Sequence, residues 1–168
     1  MSTAVPIIRQ ADEGERMWFA GGGAFTWKAT AGETNGAFIM FEDTMDRGKV
    51  TPYHLHPSED EAIYVIDGEL LVDVEGEQHH VGRGGVFVAP RGVAHAFMVT
   101  SETARVLSIQ TPGSGEAFYR AAGEPVESDQ EAARPADFAR LREAADGSDS
   151  ITILGPPPFP QPVQAPVS

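Results

Sequence analysis

The chain has 168 residues, enough for one domain with a packed core. Its 12 lysines and arginines against 25 aspartates and glutamates leave a formal net charge of −13, which argues against nucleic acid and anionic membrane surfaces as partners. There is no cysteine, so disulfides, thiolate zinc sites, iron–sulfur clusters and a cysteine nucleophile are excluded together.

Residues 1–16 carry charges and no apolar run of signal-peptide length, and no stretch approaches the ~18 apolar residues of a membrane span. A cytoplasmic protein is expected. Residues 1–24 read as an N-terminal segment, with Trp18 and Phe19 candidates for a contact between two copies. Residues 25–112 read as closely spaced short strands. Segments 25–30 (FTWKAT) and 37–42 (AFIMFE) flank a Gly-rich turn. Segments 62–66 and 69–74 meet through Asp67-Gly68, a hairpin signal. Segment 78–81 follows a turn at Gly76, and 86–89 runs into the turn tripeptide Pro90-Arg91-Gly92. Segments 94–99 and 105–111 complete the series. Many short strands at even spacing predict an all-β antiparallel sandwich or barrel. The length holds one such barrel, not a duplicated pair.

Residues 113–154 change character and predict a helical region and a short strand packed on the barrel. Ser128 and Glu131 fit a capping box, Pro135 can open a helix, and Phe138, Leu141 and Ala145 recur at helical spacing up to a stop at Gly147. The acidic surplus over 124–150 reads as a solvated face. Segment 151–154 (ITIL) reads as a strand. Residues 155–168, with six prolines, read as an extended tail.

The chemistry lies in the spacing of His54, His56, Glu61 and His95. His54 and His56 stand two apart, so on a strand they share a face, with Cα atoms ~6.6 Å apart. Two imidazoles at that spacing can converge on one ion at ~2.0–2.1 Å per nitrogen. Pro57-Ser58 breaks the strand and returns the chain, so that Glu61 can enter the next strand beside them. His95 follows the Pro-Arg-Gly turn. Three neutral imidazoles and one carboxylate suit one divalent ion of Fe, Mn, Co, Ni, Cu or Zn, with positions left open for substrate, water or dioxygen. His79 and His80 are neighbours on one strand and point to opposite faces, so they read as surface residues.

The pattern Gly48, His54, His56, Glu61, Gly68, followed by Gly84, Pro90, Gly92 and His95, resembles the two motifs of the cupin superfamily. The last position of the second motif, usually asparagine, is Val99. The resemblance implies a single cupin barrel, a double-stranded β-helix or jelly roll, with a short C-terminal helix and a Pro-rich tail. Segments 25–30, 59–65, 90–97 and 153–159 further resemble bacterial single-domain cupins related to quercetin 2,3-dioxygenase. That likeness implies a metal-dependent dioxygenase that opens the heterocyclic ring of a flavonol or related enolisable aromatic and releases carbon monoxide. Glu61 would be both ligand and base. The family's range leaves other readings open: a metal-dependent isomerase or cyclase or a polyketide-tailoring enzyme that needs no dioxygen, or a non-catalytic small-molecule binder. A homodimer is expected, as small cupins often pair their barrels.

Strand parity adds a pocket. Ile63 and Val65 share the face of Glu61, and Phe97 and Val99 that of His95, giving an apolar wall for a flat aromatic. An inward Lys28 would orient an anionic substrate; outward, it is a plain strand lysine. Arg91 reads as a turn residue near the barrel mouth. Glu59 and Asp60 read as solvated turn acids, either able to replace Glu61 after a register slip. Met17, Met40, Met45 and Met98 read as packing residues.

Overall fold

The computed structural model describes residues 5–127 and 135–160. The capping-box pair Ser128 and Glu131, and residues 161–168 of the tail, lie outside the described residues. The chain runs through strands β1 (Arg16–Phe19), β2 (Ala24–Ala29), β3 (Ile39–Asp46), β4 (Tyr53–Leu55), β5 (Asp60–Asp67), β6 (Glu69–Val74), β7 (Glu77–Gly82), β8 (Val86–Ala89), β9 (His95–Val99) and β10 (Thr103–Thr111). A 3₁₀ turn at Gly113–Gly115 then leads into helix α1 (Glu116–Ala122), strand β11 (Gly123–Pro125), helix α2 (Phe138–Asp146) and strand β12 (Thr152–Gly155).

The strands form two antiparallel sheets, ordered β11-β1-β2-β3-β10-β5-β8 and β12-β4-β9-β6-β7. This is the all-β jelly roll expected from the sequence. Period-2 alternation sets the inner faces. Phe25 and Trp27 of β2, Ile39, Phe41 and Met45 of β3, Ile63 and Val65 of β5, and Val106 of β10 are all buried, while their neighbours in the strand are more open to solvent. Four polar residues share these inward positions: Asp43, Glu61, Ser108 and Gln110.

One expected hairpin is absent. Asp67-Gly68 links β5 of the first sheet to β6 of the second, so it turns a corner between sheets. The corner is tight: Gly68 has φ +83°, and a Cβ there would sit 2.3 Å from the Thr103 carbonyl oxygen. The two-residue hairpin falls instead at Glu75-Gly76, between β6 and β7, where φ is +51° and +89°. Positive φ at both central positions is what a type I′ turn requires.

The core has two clusters. One gathers Met17, Trp18, Phe25, Trp27, Phe41, Phe118, Tyr119 and Leu141, and so joins β1–β3 to both helices. The other gathers Met45, Val65, Leu70, Val72, Phe87, Val99 and Val106. Trp18, expected at a contact between copies, is buried in this chain's own core, and the Phe19 ring packs edge-on against Phe25 and Phe118. Helix α2 begins at Asp137, whose side chain accepts from the Arg140 N–H at 3.0 Å, and ends at Gly147 as expected. It buries Leu141, Ala144 and Ala145, while Phe138 stays 52% exposed. Among the described residues, no helix is long and apolar enough to cross a membrane.

Candidate metal centre

The two sheets bring His54, His56, Glu61 and His95 together at the barrel interior. All four are buried, and one donor atom from each lies within 4.8 Å of the other three. His54 on β4 and His95 on β9 are direct cross-strand partners, with ring centroids 4.4 Å apart. His56 lies just beyond the end of β4 rather than within it, yet its ring still turns inward, 5.2 Å from His54. The Pro90-Arg91-Gly92 turn holds it there: Gly92 N–H donates to the His56 carbonyl at 2.8 Å. Arg91 fixes the returning chain with a backbone bond and a bidentate pair to Asp60, which keeps the Asp60 carboxyl at about 2. Glu61 enters from β5 in the opposite sheet.

The three rings are oriented alike. Nδ1 of His54 lies 2.7 Å from the Pro52 carbonyl oxygen, Nδ1 of His56 2.8 Å from that of Ser150, and Nδ1 of His95 2.9 Å from that of Val93. A carbonyl oxygen only accepts, so each Nδ1 carries a proton and it is Nε2 of each ring that faces inward, offering a lone pair when the ring is neutral. Backbone bonds of this kind fix the tautomer and aim of metal-ligating histidines. Glu61 Oε2 lies 2.9 Å from His95 Nε2 and 3.5 Å from His56 Nε2. The donor set therefore fits a divalent first-row ion, with oriented imidazoles and one carboxylate.

The electrostatics agree. Burial lowers His54 to about 3, and the neighbouring His95 and His56 rings add to this, so His54 is neutral. Burial pushes the Glu61 carboxyl up, but His56 and His95 outweigh it and hold Glu61 well below the usual range. Burial lowers His56 too, yet the Glu61 carboxylate beside it leaves its net position raised.

Strand parity also marks residues around the site that spacing motifs do not reveal. Gln110, an inward residue of β10, donates from Nε2 to Glu61 Oε1 at 3.1 Å and to the Tyr119 hydroxyl oxygen at 2.9 Å. Tyr119 comes from α1, a helix too short to leave a periodic signal. Gly115 leaves room for the amide, since a Cβ there would sit 2.3 Å from Gln110 Oε1. Beside these groups opens a cavity of about 70 Å³, lined by His54, Glu61, Phe19, Phe41, Phe97 and Tyr119 among others. Val50, Pro52 and Leu141 separate it from an outer groove of about 490 Å³ between α2 and residues 155–160.

Of the pocket residues expected from parity, Ile63 and Phe97 line this cavity. Val65 and Val99 do not: both are packed in the second core cluster. Lys28 lies on the outer face of β2, where its ammonium donates to the carbonyls of Gln10, Ala11 and Glu13. Glu59 is no solvated turn acid; it is 1% exposed and accepts from Ser114 Oγ at 2.5 Å. His79 and His80 stand exposed on β7, away from the cluster.

An antiparallel jelly roll with three oriented histidines and a glutamate defines a candidate metal-binding barrel. The family model described as a cupin domain matches residues 41–110, which include all four candidate ligands. The quercetin 2,3-dioxygenase of Bacillus subtilis is 25% identical over 124 residues, covering 74% of this chain and 36% of the enzyme. The chain thus spans about a third of that relative's length. An RmlC-like cupin from Shewanella frigidimarina has the same fold, with a TM-score of 0.56 at 19% identity over 64% of this chain and 92% of that one. A predicted oxalate decarboxylase from Thermotoga maritima also shares the fold, with the same TM-score and identity over 64% and 99%. In its domain match and in its fold the chain is similar to the cupins.

Proposed function

We propose that the protein is a metal-dependent dioxygenase of the quercetinase-like type, opening the heterocyclic ring of a flavonol or a related enolisable aromatic. The observation that carries this reading is the convergence of three Nε2 lone pairs and one carboxylate, two of whose residues, His54 and Glu61, line a cavity that Phe19, Phe41, Phe97 and Tyr119 also wall. The distant likeness to the Bacillus enzyme supports it.

His54, His56, Glu61 and His95 would hold the ion, which when bound supplies Lewis acidity toward an enol hydroxyl beside it. Glu61 is ionised and can take the hydroxyl proton; its low basicity suits a hydroxyl that is already acidified. Gln110 holds the other Glu61 oxygen and so fixes the direction of that transfer. Tyr119 accepts from Gln110 and keeps its own proton to donate into the cavity. Burial and the nearby Glu61 charge push the Tyr119 hydroxyl well above its ordinary value, so it stays a donor. The aromatic walls exclude water from a reactive carbanion equivalent. The cavity of about 70 Å³ is small for a three-ring flavonol, which would extend past Val50, Pro52 and Leu141, the lining it shares with the outer groove.

The test is dioxygen uptake and carbon monoxide release with a panel of flavonols, beside elemental analysis of protein purified without added metal. Product formed at the same rate without dioxygen would overturn the dioxygenase reading and favour a Lewis-acid isomerase or cyclase. Metal without turnover would leave a small-molecule binder.

A further inference from the structure

The cavity has a second polar end. Asp43 sits at an inward position of β3, two strands across and four residues along from the Glu61 row, since Glu61 pairs with Gln110 and Gln110 with Ile39. Its Oδ2 accepts from Lys49 Nζ at 2.9 Å, and both side chains are about nine-tenths buried. Both line the same cavity as His54 and Glu61. Asp43 Oδ1 is buried and has no hydrogen-bond partner among the described residues. The Lys49 ammonium also stands 5.7 Å from the centre of the Phe19 ring, another cavity wall.

Stability alone does not account for this pair. A buried ion pair is generally no better than well-packed apolar residues of the same volume, and an unpartnered carboxylate oxygen adds a cost. Burial accordingly pushes the Asp43 carboxyl above its ordinary value, with Lys49 offsetting part of the rise. In a wall that is otherwise mostly apolar, the pair offers one free acceptor beside a cationic donor with protons to spare. A hydroxyl group satisfies both at once, by donating to Oδ1 and accepting from Nζ. An ether or a methyl group cannot do so.

We propose that Asp43 and Lys49 form a hydroxyl-recognition subsite at the end of the cavity away from the metal ligands, so that the substrate is an aromatic bearing a phenolic hydroxyl remote from its enol group. This rests on the aromatic-substrate reading above and narrows its class. Deleting a hydroxyl from a ligand whose site is built to bond it leaves buried polar groups unpaired, and the loss is large compared with the loss of a methylene.

The experiment measures phenol, anisole and toluene binding to the metal-loaded protein by NMR titration without dioxygen. An apolar pocket alone favours toluene, because phenol gives up the hydration of its hydroxyl. The subsite predicts that wild-type protein binds phenol roughly ten- to a hundredfold more tightly than toluene or anisole. In protein carrying Asp43→Leu together with Lys49→Met, checked for unchanged metal content, toluene becomes the tighter ligand. Equal or weaker phenol binding by the wild type overturns the proposal without recourse to any variant. So does a phenol preference that survives in the double variant, because the hydroxyl would then sit elsewhere. If the phenol preference holds while no flavonol drives dioxygen uptake, the subsite stands and the dioxygenase reading falls. If flavonols turn over while phenol shows no preference, the reverse is true.

Discussion

His56 Nδ1 donates to the Ser150 carbonyl oxygen at 2.8 Å, across 94 residues of chain. The segment between α2 and β12 therefore aims a candidate metal ligand. Its shape depends on Ser148, whose hydroxyl accepts from Ser150 N–H at 3.2 Å and pairs with the Ser150 hydroxyl at 2.8 Å. Ser148→Ala loosens that turn without touching any ligand. Groups that orient metal-bound histidines are typically worth 10- to 100-fold in affinity, so a fall of about tenfold is expected. Titration with a competing chelator checks it.

The five histidines divide by position. His95 is 1% exposed and faces Glu61, whereas His80 stands on the open β7. His95→Ala is expected to lower metal affinity by more than about a hundredfold, since a direct ligand counts for more than the groups that orient it. His80→Ala is expected to change nothing. Metal content after dialysis against a weak chelator separates the two; equal retention by both variants would place the ion elsewhere.

Metal affinity should rise with pH. Glu61 and His54 are already in their metal-ready forms near neutrality, one held ionised and the other held neutral down to about pH 3. His56 is the exception, because the Glu61 charge raises it above the ordinary 6.5. Below that raised value the ion must displace its proton, and affinity should gain about tenfold per pH unit. Above it the dependence flattens. Calorimetry in buffers of different ionisation enthalpy should report proton release on ion binding on the acid side, falling away on the plateau.

The barrel and the four candidate ligands were legible because both rest on short-range signals: residue spacing, turn glycines and strand parity. Segments 69–74 and 86–89 match β6 and β8 residue for residue. The misread hairpin at Gly68 had the same local residues as a true one. What makes it a corner is the distant Thr103–Ala104 backbone packed against it. Val65 and Val99 have the expected parity but pack within the core cluster, since parity assigns a face and not contact with one cavity. Asp43 and Gln110 were readable as polar residues at inward positions of β3 and β10, and only the rarity of such placements would have marked them. Tyr119 could not be placed, because its seven-residue helix leaves no period to detect.

Leu141 tests how a large substrate reaches the site. It is 4% exposed, it projects from α2, and it lines both the inner cavity and the outer groove. Leu141→Ala removes part of the lining common to both, past which a flavonol would extend on the dioxygenase reading. Truncating a buried leucine typically costs about 2–5 kcal/mol, so the thermal midpoint should fall clearly. Metal affinity should hold, because none of the four candidate ligands nor their carbonyl partners lies on α2. Stopped-flow fluorescence should then show faster association of three-ring flavonols and little change for a single-ring phenol. If the two ligand sizes accelerate equally, this lining is not the barrier and access runs through another face of the barrel. If neither changes while the midpoint falls, Leu141 serves packing alone.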